Sequence, residues 1–223
     1  MIIPIILGMV AAAAATEPST TLRIPKRAEQ HLRSFVRWAK ERAIPLDVFL
    51  AWASLESGFN PREYNPEKGA MLRWAKEIVG KPERWGDNPD YGNAARALDI
   101  LTAGGTPDDV VAKNLWSFGS WGMIQVSRIT AAEIGVLPYR KSNALLWDVD
   151  LNLKAASLKI SRSRAKLFPG TTTLTDSEWA LVRAAYVMGD TGARDPGKQE
   201  GVEEKKAKFY VALQQIRGPR VEV

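Results

Sequence analysis

Residues 50–66 read LAWASLESGFNPREYNP, an apolar helical run that delivers one carboxylate, Glu56, into a turn marked by Gly58 and Pro61. Pro45 suits the start of this helix because the first helical position needs no amide hydrogen, and Asp47 complements the positive N-terminal end. Gly58 and Pro61 stop it. On a 3.6-residue period Phe49, Trp52, Ala53 and Glu56 share one face, so the carboxyl group is expected among large apolar side chains at the end of a rigid element. Desolvation of that kind raises a carboxyl pKa and lets the group carry a proton near neutrality. A proton held there can be given to a leaving oxygen, which is what cleavage of a glycosidic bond requires. The plainer alternative is an exposed glutamate in the last turn of an ordinary core helix.

Three further blocks downstream bear on that choice. Glu56 and Ser57 followed by Phe59, Asn60 and Pro61 form the first block, and GSWGMIQV at 119–126 forms the second. Asp148 with Asn152 and Leu153, then Ala185, Tyr186 and Gly189, complete the set. In order and wording the four blocks resemble the lysozyme-like lytic transglycosylases, which carry a Glu-Ser pair with a Phe-Asn-Pro turn, a Gly-Leu-Met-Gln segment, an Asp four residues before Asn-Ile, and Ala-Tyr-Asn near a glycine. Met123 falls on the family's Leu and Ile124 on its Met, Gln125 carries over directly, and Val187 stands where the family usually has Asn.

The resemblance implies a mainly α, lysozyme-like single domain with a helical insertion after the catalytic helix. It implies peptidoglycan glycan strands as substrate, Glu56 as the catalytic acid and base, and no cofactor. Tyr186 would place its hydroxyl close to the acid. Ser57, Trp121, Gly122, Met123 and Gln125 are further candidates for substrate contact. Gly119 and Gly122 remove side chains where backbone would approach a flat sugar, while Trp121, Met123 and Gln125 offer stacking, an adaptable apolar contact and an amide. A small polar substrate contact is expected soon after the Glu-Ser pair. Counted forward from Glu56 it falls on Asn65, and counted back from Gly119 it falls near Trp116 or Ser117.

With one obvious carboxylate, the transglycosylase route, in which the muramic acid's own 6-hydroxyl closes a 1,6-anhydro ring, fits better than hydrolysis. A hydrolytic muramidase needs a second carboxyl roughly 5 to 9.5 Å away, for which Asp87 or Asp90 are the candidates. A non-catalytic structural protein of a virion or secretion apparatus is the third reading. The expected location is the bacterial cell envelope or periplasm, or a phage virion acting on the envelope.

Composition removes other classes. The 223-residue chain has no cysteine and His31 as its single histidine, so thiol nucleophiles, disulfides, a Cys-ligated zinc, a two-histidine metal site and a Ser-His-Asp triad are all disfavoured. No Gly-rich loop ending in Lys and Ser or Thr points to a nucleotide. Residues 23–42 carry Arg23, Lys26, Arg27, Arg33, Arg37, Lys40 and Arg42 against Glu29 and Glu41, most of the chain's formal charge of +6. Leu32, Phe35, Val36 and Ala39 recur there at helical spacing and predict an inward face with a cationic face outside. That face reads as a solvated surface or as attraction to an anionic one; nucleic acid is disfavoured because no binding module accompanies it.

Three segments are expected along the chain: an apolar N-terminal segment and linker at 1–22, a catalytic domain at 23–190 containing an insert at 67–116, and a C-terminal loop and helix at 191–223. Residues 1–16, MIIPIILGMVAAAAAT, are too short for a normal membrane span and end in small residues. They read either as a secretory signal or as a tail that packs on a virion or envelope-complex protein. Within the insert, residues 71–79 and 93–101 are predicted helical and 80–92 an aromatic-studded loop. This loop would place Trp85 and Tyr91 either on sugars or on an elaborated surface. Ser127 is a predicted N-cap, Asp148 and Asn152 are expected to fix the start of a helix over 145–167, and Thr175 with Glu178 forms a predicted capping box. Residues 189–197 are expected as a loop and 199–216 as the last helix.

Overall fold

The computed structural model describes residues 22–218, and the N-terminal signal or tail expected at 1–16 lies outside them. In chain order the elements are α1 (Lys26–Glu29), α2 (Leu32–Glu41), α3 (Leu46–Ser57), β1 (Tyr64–Asn65), α4 (Met71–Val79), α5 (Pro82–Trp85), α6 (Tyr91–Thr102) and α7 (Pro107–Ala112). There follow β2 (Ser120–Trp121), β3 (Val126–Ser127), α8 (Arg128–Glu133), α9 (Val149–Leu167), α10 (Asp176–Met188), α11 (Asp190–Arg194) and α12 (Gln199–Arg217). The chain is mainly helical, as its periodicities predict. Among the described residues no helix is long and apolar enough to cross a membrane.

Two compact units divide the described residues, one holding 22–55 with 171–218, the other Glu56–Gly170. In the first of them α12 packs along α10. In that unit six consecutive residues of α3, Val48 to Ala53, are buried, so the helix is enclosed on every side rather than amphipathic. Phe35 meets Phe49 edge-on with ring centroids 5.3 Å apart, and Trp52 meets both Tyr186 (5.5 Å) and Phe209 (5.9 Å). These contacts gather α2, α3, α10 and α12 around one aromatic centre. Arg217, near the C-terminal end, closes the unit: Nε donates to Asp47 at 2.7 Å, while Nη1 and Nη2 grip both oxygens of Asp176 at 2.5 and 2.9 Å. Bidentate pairing of this kind fixes geometry as well as charge. Here it ties the first turns of α3 and α10 to the last turn of α12.

Local chemistry explains most element ends in both units. The capping box of Thr175 and Glu178 opens α10, and Thr106 with Asp109 forms another at α7. Asp148 accepts from Leu151 N at 2.8 Å to start α9, preceded by a 3-10 turn at Asn143–Trp147 rather than by more α-helix. Several features differ from expectation. Residues 23–42 break at Gln30 and His31 into two helices, and Val36 is 39% exposed while Trp38 takes the inward position. Residues 82–85 of the expected loop form α5, and residues 190–194 form α11. Finally, a three-stranded sheet joins β1, β2 and β3 in that order, antiparallel throughout.

In the second unit the insert builds its own core. Met71, Ile78, Trp85 and Val110 pack in one cluster with Trp116, Phe118 and Ile129, so the insert is continuous with the segment that follows it. Trp85 is 1% exposed and lies edge-on to Phe118 and Tyr139, and Tyr91 is half-buried with its hydroxyl 3.3 Å from Val79 O. Trp85 is therefore enclosed and does not stack on sugars as one reading expected, while half-buried Tyr91 packs against the insert's core. The ends of the insert are adjacent, since Trp116 Nε1 donates to Pro66 O at 2.9 Å. An insertion with neighbouring ends costs little in loop closure.

Replacing Arg217 by Met is expected to lower stability by about 2 kcal/mol, since it strands the half-buried Asp47 and two charged hydrogen bonds to Asp176; a denaturant titration measures it. His31 supplies a pH test. Its Nε2 is buried without a hydrogen-bond partner, and burial lowers its pKa below the ordinary 6.5, so the unfolded chain binds the proton better. Stability should be level above that value and fall as the pH drops through it. Denaturation midpoints of wild type and His31→Gln at about pH 5 and about pH 8 check the sign, the variant showing the smaller difference.

Candidate active site

Glu56 leaves the enclosed part of α3 in its last turn and is itself half-buried, with Oε1 shut off from solvent. The helix then stops through two left-handed residues, Gly58 (φ 58°) and Phe59 (φ 64°). A left-handed Phe costs about 1–2 kcal/mol. Burial of its ring, 4% exposed, offsets that by a similar amount, about 2 kcal/mol. Ser57 Oγ donates to Met123 O at 2.7 Å and accepts from Asn60 N at 3.1 Å. Asn60 completes the turn by donating to Glu63 Oε2 at 2.8 Å and accepting from Arg62 N at 3.0 Å. The hydroxyl expected to touch substrate thus has its proton committed internally, and Ser57 positions the turn.

The sheet brings the first two motif blocks together across the insert. Tyr64 lies opposite Trp121 and Asn65 opposite Ser120, and Gly122 N donates to Glu63 O at 2.8 Å. A Cβ on Gly119 would sit 2.1 Å from Asn65 O, and one on Gly122 would sit 2.5 Å from Asn152 Nδ2. Both glycines therefore admit the protein's own chain. Fully buried Asn152 accepts from Ile124 N at 3.0 Å and donates to Trp121 O at 2.7 Å, stapling the turn from inside α9.

The expected contacts separate by burial. Met123 is wholly buried, so its side chain is core and cannot be the adaptable contact expected of it. Trp121 is 6% exposed, donates its Nε1 to Ser117 O, and packs against Tyr64 and Trp147 at 4.5 and 4.7 Å; it supports the turn rather than offering a free face. Gln125 is half-buried at a left-handed φ of 43°, and its Nε2 donates to Gly122 O at 2.9 Å. Asn65 is exposed at the end of β1, with Oδ1 accepting from Glu67 N. Because Pro66 and Trp116 are hydrogen-bonded, the two alternative places counted for a polar contact lie side by side at the base of the insert. Tyr186, in the other unit, is buried in the last turn of α10 against Trp52, and its neighbour Val187 is 46% exposed.

Of the two candidate second carboxylates, Asp87 forms an exposed pair with Arg140 at 3.1 Å, while Asp90 is half-buried and its charge acts on Tyr64 and Arg128. Burial raises the Tyr64 hydroxyl well above its ordinary range, with Asp90 and Glu67 adding to the effect. Among the described residues no group of three or more His, Cys, Asp or Glu side chains is placed to hold a metal ion.

Arg128 gave no signal in the sequence, where it is simply the residue after the Ser127 cap. It is fully buried, stacks over Trp85 at 5.1 Å, donates through Nε to Asn143 Oδ1 at 2.7 Å and through Nη2 to Pro138, Tyr139 and Lys141 carbonyls at 2.7–3.1 Å. Desolvation pulls its pKa down to about 10. Asn88 joins the same carbonyls, and Asn143 passes the network to Ser117 at 2.7 Å, two residues before Gly119.

Gly119→Ala is expected to cost about 3 kcal/mol, the upper end of overpacking, because only backbone surrounds the added methyl. Gly58→Ala, with open space around its Cβ, should cost only the left-handed term of about 1 kcal/mol. Denaturation of the two variants side by side tests the ranking, and equal losses would remove the β1–β2 contact as a constraint.

The family described as the Transglycosylase SLT domain matches residues 33–209, a span that includes all four sequence blocks and the insert. Neither the curated proteins nor the solved structures contain a significant match. With most of its length inside that match and a mainly helical fold, the chain belongs to the Transglycosylase SLT domain family, a lysozyme-like domain of the peptidoglycan lytic transglycosylase type.

Proposed function

We propose that the protein cuts peptidoglycan glycan strands between N-acetylmuramic acid and N-acetylglucosamine by a non-hydrolytic route that uses Glu56 twice. The observation that carries this reading is the placement of Glu56: a half-buried carboxyl at the end of an enclosed helix, in a turn locked by Ser57 and Asn60. Glu56 gives its proton to the glycosidic oxygen as the bond to C1 breaks. The carboxylate then takes the proton of the muramic acid 6-hydroxyl, whose oxygen closes on C1 to leave a 1,6-anhydro end. Glu56 is returned to its starting state and no water is consumed. Half-buried Gln125 and exposed Asn65 are the side chains that meet the sugar, while Ser57, Trp121, Gly122 and Met123 hold the surface on which it lies. The site of action is the bacterial envelope, reached as an envelope enzyme or as part of a virion.

Hydrolysis with Asp90, half-buried just before α6, as a second carboxylate is the alternative. Asp87 is spent on an exposed pair with Arg140. Mass spectrometry of sugars released from purified peptidoglycan separates the routes. The expected result is anhydro-ended fragments from wild type and from Asp87→Asn and Asp90→Asn. Glu56→Gln should reduce release by about 10²- to 10⁴-fold without lowering the denaturation midpoint. Reducing-ended fragments that disappear in Asp90→Asn would establish hydrolysis instead, and equal release by wild type and Glu56→Gln would remove Glu56 as the acid.

A further inference from the structure

The helix α2 buries Phe35, Trp38 and Ala39 and turns Arg33, Val36, Arg37 and Lys40 outward, at the i, i+3, i+4, i+7 positions that make one stripe. Lys26 and Arg27 of α1 are exposed just before it. A helix face that serves only to be wetted usually neutralises itself, as α12 does: Lys205, Lys206 and Lys208 all pair with Glu203 or Glu204. Among the described residues no ion pair engages Lys26, Arg27, Arg33 or Lys40, and Arg37 lies over the Trp38 ring at 4.7 Å. The apolar Val36, 39% exposed, sits inside the stripe between the cations.

From this pattern we infer that the outward face of α1 and α2 docks on an anionic phospholipid surface. Charge complementarity supplies the attraction, since each Lys or Arg near such a surface strengthens binding by roughly fivefold. Val36 and the sequence context favour lipid over a soluble polyanion, which would need cations alone. Residues 1–16 are almost wholly apolar and precede the cationic stretch by only the short polar run EPSTT. One apolar element holds a protein to a bilayer marginally, and a second signal, such as a basic patch beside it, makes the attachment stable. The face is separate in sequence from Glu56 and the 119–126 block, so it would set where the enzyme works and not how it cuts.

Co-sedimentation of the full chain with vesicles tests the inference. Binding to vesicles of phosphatidylcholine mixed with phosphatidylglycerol should exceed binding to phosphatidylcholine alone and weaken with added salt. The full-length variant R33E/R37E/K40E should lose more than about a hundredfold in affinity for the mixed vesicles, because removing three cations alone costs about that much. The milder R33Q/R37Q/K40Q should lose less, while both keep the helical circular dichroism and the glycan-cleaving rate of wild type. Equal binding of wild type and both variants to the mixed vesicles would overturn the inference. So would binding to double-stranded DNA or polyphosphate without binding to the mixed vesicles, which would assign the face to a soluble polyanion.

Discussion

One hydrogen bond ties the two halves of the candidate site: Ser57 Oγ donates to Met123 O at 2.7 Å across 66 positions of chain. The first partner ends the helix that carries Glu56, and the second lies in the turn between β2 and β3. Everything around this bond serves to keep its ends in place. Asn152 holds both sides of the same turn from within α9, the β1–β2 pairing sets the turn against residues 64 and 65, and glycines at 119 and 122 let the backbones approach. Left-handed conformations at Phe59, Glu67 and Gln125 lie in these same segments. Backbone strain of this kind persists where surrounding contacts over-determine it, and it concentrates at functional sites.

The insert presents a second constraint. Its apolar core continues into Phe118 and α8, and its polar support is the buried guanidinium of Arg128. That charge is met by main-chain carbonyls and the Asn143 side chain, so dipoles, helped by the charge of Asp90, compensate its desolvation. The arrangement orders residues 137–143, to which Asn88 of the insert also binds, and reaches Ser117 just ahead of Gly119. A segment that looks like decoration in the sequence therefore shares its support with the strand that faces Tyr64.

Charge is handled differently along the chain. Arg217 is surrounded by Asp47 and Asp176, which raise its pKa, and it closes its unit; the lysines of α12 are neutralised within their own helix. The cations of α1 and α2 are left facing outward. A net charge concentrated on one surface acts at a distance in a way that paired charges do not.

The sequence by itself determined what local chemistry decides. The apolar run before Glu56, the Gly58 stop, the caps at Ser127, Asp148 and Thr175, and the boundaries of α4 and α12 follow from propensity, periodicity and hydrogen bonds within a few residues, and they were legible for that reason. Motif order supplied the family. What tertiary structure alone decided are pairings between distant residues: the register of β1 on β2, the enclosure of Trp85, the carbonyl cage of Arg128, the grip of Arg217 and the use of Ser57, Gly122 and Met123 as supports. Two-residue strands have no readable period, a tryptophan has the same identity on a surface as in a core, and a hydroxyl's partner is chosen by the fold that brings a carbonyl within reach. Such facts depend on which surfaces meet, and no window of local sequence contains both of them.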